Sequence, residues 1–171
     1  MILDDIKSVY RIGIGTDIHA ISNERPLMLG GVLIPNTPGL AGHSDADVVL
    51  HALIDALLGA AGMGDIGTLF PDTDPQFKDA DSRGLLMGVR DRLAGKKWEI
   101  VNIDITVHLE KPRLGQMKGQ MRRCISGLLD IEFMNVNIKA KTNEGFDAVG
   151  QGDAMAATAI VLIRQKPKRT L

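Results

Sequence analysis

Residues 42–75 read GHSDADVVLHALIDALLGAAGMGDIGTLFPDTDP, and the fold turns on how this stretch divides. Asp45 to Ala61 is rich in Ala and Leu, the strongest helix formers, and is expected to be helical. Ser44 offers an N-cap with Asp47 three residues on, and Gly62 and Gly64 stop the run. His51 and Asp55 break the apolar stretch Val48–Met63, which is in any case shorter than the roughly 20 residues a bilayer needs. The next residues, Gly64 to Pro75, have the Gly, Asp and Pro content of a loop.

Working outward, Ser8–Ile18 reads as a strand containing Gly13 and Gly15. Pro26–Ile34 holds two short apolar runs around Gly30-Gly31, the pattern of a hairpin. On the other side, Asp81–Ala94 is a second helix ended by Gly95, and Trp98–Leu109 alternates as a long strand. Leu114–Leu129 is a third helix and Glu132–Lys141 a further strand. Gly152–Arg164 is a last helix or a buried apolar element. Strands interleaved with helices predict the α+β class: a ferredoxin-like α/β sandwich, with a small sheet carrying helices on one face. The other face would carry Val, Ile and Ala. A monomer should not expose so wide an apolar patch, whereas a homo-oligomer packed sheet on sheet would cover it.

The remaining arithmetic narrows the class. The 171 residues suit a single domain, with both ends (1–9 and 165–171, including the basic tail KPKRTL) peripheral. Hydrophobic residues make up 44% and charged residues 24%, which excludes a disordered, collagenous or coiled-coil chain. Aromatics are only 4%, so the core must be aliphatic. A formal charge of −1 argues against nucleic acid or an anionic membrane as partner. The single cysteine, Cys124, allows no intrachain disulfide. With no secretory pattern in MILDDIKSVY, the expected location is cytoplasmic. Cys124, between apolar neighbours, reads as a core residue, and Arg122-Arg123 as a solvated helix face.

Five clusters could carry chemistry. Asp17 and His19, two apart on a strand, point to one face. His51 stands one helical turn from Asp47 and another from Asp55, and together Asp17, His19 and His51 would make an N,N,O set for a divalent ion such as zinc. Asp-x-His is a short pattern, and a buried His51 bonded to Asp47 or Asp55 accounts for it equally well; the pattern alone leaves both open. Asp65 and Asp72 in the glycine-rich loop could hold sugar hydroxyls, or could simply make turns. Glu110-Lys111-Pro112-Arg113-Leu114 falls at the entrance to a helix, a natural phosphate position. It reads also as an ordinary helix start. In Lys139-Ala140-Lys141-Thr142-Asn143-Glu144-Gly145, Thr142 could donate to a phosphate and Glu144 could hold Mg²⁺ against phosphates.

Taken together, GTDIH (15–19), LGGVLIP (29–35), the 42–75 run, ADSRGLL (80–86) and NIKAKTNEG (137–145) resemble the 2-C-methyl-D-erythritol 2,4-cyclodiphosphate synthase family, over about Tyr10 to Ile163. That resemblance implies a lyase of the non-mevalonate isoprenoid pathway. The enzyme would convert 4-diphosphocytidyl-2-C-methyl-D-erythritol 2-phosphate to the cyclic diphosphate with release of CMP. It implies Zn²⁺ on Asp17, His19 and His51, and a second divalent ion, Mg²⁺ or Mn²⁺, on Glu144. His43 and Ser44 would lie near the methylerythritol phosphate, and Asp65, Ile66, Gly67 and Asp72 near its hydroxyls. Thr142 would lie near the nucleotide diphosphate, and Ala140 with Pro112, Arg113 and Leu114 would line the cytidine pocket. It implies a homotrimer with sheets facing the interior and active sites between subunits. The chain departs from the family in three segments. Arg113 stands for a common Lys and is followed by Leu114–Lys118, a Thr-rich triplet is Lys141-Thr142-Asn143, and Gln151 stands where some members have an Arg that holds an anion in the central cavity. No such anion is expected here. A non-catalytic metal- and nucleotide-binding module and a metal-dependent phosphohydrolase are the competing readings.

Overall fold

The Gly30-Gly31 pair sets the first two strands. Both residues have positive φ, 59° and 73°, the combination that a two-residue type I′ hairpin needs and that glycine adopts without strain. Leu29 therefore pairs with Val32, and β1 (Tyr10–Leu29) returns as β2 (Val32–Leu40). The structure, a computed structural model, describes residues 8–165 apart from Lys78; most of the two ends expected to be peripheral lies outside these residues. The strand read at 8–18 and the first arm of the hairpin are one strand, with irregular pairing between Ser22 and Leu27.

Next come α1 (Val48–Ala61), a short α2 (Ile66–Leu69), α3 (Ser82–Gly95), β3 (Trp98–His108), α4 (Met117–Leu129), β4 (Val136–Lys141), a short α5 (Asp147–Gly150) and β5 (Ala154–Gln165). The sheet order is β2-β1-β5-β3-β4, with β3 and β4 parallel and the other pairs antiparallel. The result is an α+β fold built on a five-stranded mixed sheet. Helix α1 lies directly on β1, because Gly13 and Gly15 leave room for it. A Cβ at Gly13 would sit 2.0 Å from the Ala56 carbonyl oxygen, and one at Gly15 2.1 Å from that of Ala52. The aliphatic core fills the space between α1, α3, α4 and the sheet, with Leu50, Leu53, Leu57, Ile105 and Val161 fully enclosed.

Several expectations need correction. Of the two readings of Gly152–Arg164, the helix fails and the buried apolar element holds: its apolar part is the strand β5, paired on both edges, with Ala157, Ala159, Val161 and Ile163 facing the core. The N-cap of α1 is Asp47, whose carboxylate accepts from the N–H groups of Val49 and Leu50, and Ser44 is not the cap. The third helix begins at Met117, so Pro112–Leu114 lies in the preceding loop and not at a helix N-terminus. Arg122 is no solvated charge: its guanidinium lies 4.0 Å over the Phe133 ring, and Nε donates to the Val136 carbonyl at 2.6 Å. Cys124 is half-buried, its Sγ 3.7 Å from the Gly31 carbonyl oxygen, and so sits at the edge of the core.

The sheet face away from α1 is exposed, and it is apolar along β1 and β5, while Asp104 pairs with Lys139 on its β3–β4 side. It carries Ile12 (77% exposed), Ile14 and Ile18 on β1 and Ile160 on β5. Among the described residues, no helix is long and apolar enough to cross a membrane.

Candidate active site

Alternation along β1 aims Gly13, Gly15, Asp17 and His19 at α1. The close approach that the glycines permit then brings His51, one turn into α1, onto the same spot. Asp17 Oδ2 lies 2.9 Å from His19 Nε2 and 3.0 Å from His51 Nδ1. The two ring nitrogens are 3.2 Å apart. Three side-chain donor atoms thus form a small triangle. Two imidazole nitrogens and one carboxylate oxygen are the set that a catalytic zinc ion takes, with a further position left for water or substrate. Burial works against charge on Asp17, yet the hydrogen bonds from His19 and His51 overcome it and hold the carboxyl well below the usual range. The Asp17 hydrogen bond in turn raises His19 above its ordinary value, against the opposing effect of burial.

His19 and His51 open onto a cavity of about 280 Å³. His43 and Ser44 line it beside them, and Ile66, Gly67 and Asp72 line it from the loop after α1. Three residues that the sequence did not single out, Phe70, Phe77 and Leu85, give it an apolar wall. Asp55 holds the loop in place by accepting from the Ile66 N–H at 2.7 Å, and burial raises its carboxyl. Asp65 is outside the cavity lining. It caps α2, accepting from the Thr68 N–H at 2.7 Å, and the hydrogen bonds from the Thr68 side chain and N–H lower its carboxyl.

A second missed group stands behind His51. The outer ring nitrogen, Nε2, is 2.9 Å from Ser82 Oγ and 3.0 Å from Ser44 Oγ. Ser82 donates its hydroxyl to Asp45 Oδ1, and its backbone N–H donates to Asp45 Oδ2 at 3.0 Å. Ser82 lies in the ADSRGLL run, but nothing in the spacing links it to a histidine 31 residues earlier.

The remaining site candidates lie elsewhere in the chain. Asp17 pairs with Ala157, Ala157 with Val107, and Val107 with Ala140. Three strand spacings put Ala140 about 14 Å from Asp17. Thr142 and Glu144 come next in the chain, the Thr142 hydroxyl donating to Glu144 Oε1 at 2.7 Å. Glu144 is exposed and has a φ of 52°. Pro112, Arg113 and Leu114 lie just after β3, next to β4 in the sheet, and Leu114 is buried. None of these six lines the histidine cavity. A larger cleft of about 810 Å³ opens between α3, α4 and the start of β3, lined by arginines and carboxylates but by no histidine or cysteine.

Residues 10–164 match the model of the YgbB family. The 2-C-methyl-D-erythritol 2,4-cyclodiphosphate synthase of Bordetella petrii is 52% identical over 154 residues, 90% of this chain and 95% of that protein. Among solved structures, the bifunctional IspDF of Campylobacter jejuni superposes with a TM-score of 0.90 at 41% identity. That match covers 94% of this chain and 44% of the bifunctional one, so this chain spans less than half of it. IspF of Plasmodium falciparum, in a CDP complex, gives a TM-score of 0.81 at 35% identity over 92% of this chain and 97% of that one. With a match that runs from Tyr10 to Arg164 and half of the residues shared with a full-length relative, the chain belongs to the YgbB family, the 2-C-methyl-D-erythritol 2,4-cyclodiphosphate synthases, phosphorus–oxygen lyases of the non-mevalonate isoprenoid pathway.

Proposed function

We propose that Asp17, His19 and His51 hold zinc beside a cavity that takes the methylerythritol phosphate part of 4-diphosphocytidyl-2-C-methyl-D-erythritol 2-phosphate. The observation that carries this is the convergence of Asp17 Oδ2, His19 Nε2 and His51 Nδ1 on one point at the cavity wall. Zinc, when bound there, supplies a Lewis acid and a template for phosphate oxygens. The chain's own residues do the positioning. His43 and the Ser44 hydroxyl meet the 2-phosphate, and Ile66, Gly67 and Asp72 hold the methylerythritol hydroxyls, with Asp65 capping the loop behind them. The phosphate attacks the β-phosphorus of the same molecule, and CMP leaves. Folding the substrate so that its own phosphate reaches its own diphosphate removes much of the entropic barrier, and no side-chain nucleophile is needed.

A cavity of about 280 Å³ suits the methylerythritol phosphate but is small for the whole nucleotide conjugate. Pro112, Arg113, Leu114 and Ala140 take the cytidine, Thr142 contacts the diphosphate, and Glu144 holds a second divalent ion, Mg²⁺ or Mn²⁺, among the phosphates. The CDP bound to the Plasmodium falciparum relative supports a nucleotide site of this kind. Because these groups lie at the far edge of the sheet from Asp17, a complete site needs two copies of the chain. A cytoplasmic homotrimer with its sheets inward would supply both halves and cover Ile12, Ile14 and Ile18.

Purified protein supplied with Zn²⁺, Mg²⁺ and the CDP-linked substrate should release CMP and a product with no added water by mass. An acyclic product or inorganic phosphate would support a hydrolase instead. His51→Ala should lose both zinc and CMP release, and full zinc occupancy in that variant would overturn the ligand assignment.

A further inference from the structure

We propose that Asp45 and Ser82 are positioning residues that fix which nitrogen of His51 carries the hydrogen, and so present the other to the metal; this rests on the zinc reading above. The hydrogen-bond directions force the arrangement. The Asp45 carboxylate can only accept, and it takes both the hydroxyl and the backbone N–H of Ser82, with the Asp47 N–H at 3.2 Å as a third donor. The one hydroxyl hydrogen of Ser82 is therefore committed to Asp45. What Ser82 Oγ offers His51 Nε2, 2.9 Å away, is a lone pair, so Nε2 must carry the hydrogen. When zinc is bound, the ring's remaining lone pair is then on Nδ1, the atom that faces Asp17 and His19. Ser82 is fully buried, so water cannot replace its hydroxyl.

The relay joins three elements: the loop before α1, the first residue of α3, and α1 itself. It also explains the two serines around one nitrogen. Ser44 Oγ, 3.0 Å from the same Nε2–H, must accept there as well, and it accepts the Ala46 N–H at 3.2 Å. Its own hydrogen is left for the cavity that Ser44 lines. Thus Ser82 orients the ligand while Ser44 keeps a donor for an anion.

The test is zinc affinity of the full chain by competition with a fluorescent chelator, read independently of turnover. Ser82→Ala keeps the backbone N–H to Asp45 and deletes only the hydroxyl. It should weaken zinc by about 10- to 100-fold, the usual effect of losing such a partner. Asp45→Asn, which keeps hydrogen-bonding capacity but not charge, should weaken it about 3- to 10-fold. Ser44→Ala should stay within about threefold of wild type. In zinc-loaded protein labelled with ¹⁵N-histidine, the His51 Nε2–H resonance should be downfield and slow to exchange, and should move upfield in Ser82→Ala. Wild-type affinity and an unmoved resonance in Ser82→Ala and Asp45→Asn would overturn the proposal, as would a loss in Ser44→Ala equal to that in Ser82→Ala. If Ser82→Ala does not fold, Asp45→Asn alone decides by the same two readouts. A wild-type chain that takes up no zinc would instead overturn the metal reading, and this proposal with it, so the two failures are distinguishable.

Discussion

At the scale of single residues, Asp47 does the most to join chain segments near the site. It is fully buried, yet its carboxylate accepts four backbone N–H groups: Gly30 at 2.8 Å, Gly31 at 2.6 Å, and Val49 and Leu50 at 3.1 Å each. Two of these belong to the hairpin turn and two to the first turn of α1. Burial raises the carboxyl, and the N–H groups of Gly31, Gly30 and Leu50 pull the other way. One side chain therefore fixes the hairpin against the helix that carries His51. Removing it would leave four donors enclosed without an acceptor. Asp47→Ala should cost about 3–5 kcal/mol, combining a lost cap with unmet buried donors. Asp47→Asn should cost less, since the amide keeps one acceptor oxygen. Urea unfolding of the metal-free chain measures both, and a loss below about 1 kcal/mol for Asp47→Ala would refute this account.

At the scale of elements, the contact between α1 and β1 positions the site. Gly15→Ala would put a methyl 2.1 Å from the Ala52 carbonyl oxygen, a backbone atom that cannot swing aside. The helix must shift, carrying His51 away from Asp17. The substitution should lower stability by about 1–3 kcal/mol. Unlike a simple packing defect, it should also weaken zinc binding, as thermal melts and chelator competition on the same sample would report. Elements fixed by local chemistry were legible in the sequence. The glycine pair made the hairpin readable, and Gly62, at a φ of 66°, ended α1 where expected. Elements fixed by distant partners were not. Ala154–Gln165 is a run of Ala, Met, Val and Ile without turn residues, and only pairing with β1 and β3 makes it a strand. Ser44, Asp45 and Asp47 could each cap α1 by type, and the hairpin N–H groups select Asp47. Arg122 looked solvated because the ring and carbonyl it meets lie beyond its own helix.

At the scale of the whole molecule, the proposed site divides in two. Strand alternation puts Asp17 and His19 on one face, but the pattern leaves open whether His51 joins them, and only the resemblance to the family groups the three. Ser82 could not be read at all, since its link to His51 exists only once α3 docks beside α1. The split between this cluster and Glu144 has a consequence that a single-chain site does not share. If each site takes zinc ligands from one chain and Glu144 from its neighbour, His51→Ala and Glu144→Gln chains are each inactive alone, yet each carries the half that the other lacks. In a cyclic trimer, every mixed assembly contains one junction where an intact His51 faces an intact Glu144. Random mixing in equal amounts makes about three-quarters of the trimers mixed, so about one site in four should work. Unfolding the two variants together and refolding them should therefore restore about a quarter of the wild-type rate of CMP release, whereas variants refolded apart and then combined should restore none until subunits exchange. A co-refolded mixture that shows a mixed trimer by native mass spectrometry and still releases no CMP would mean that both halves serve within one chain, and the exposed isoleucines of β1 would then need another explanation.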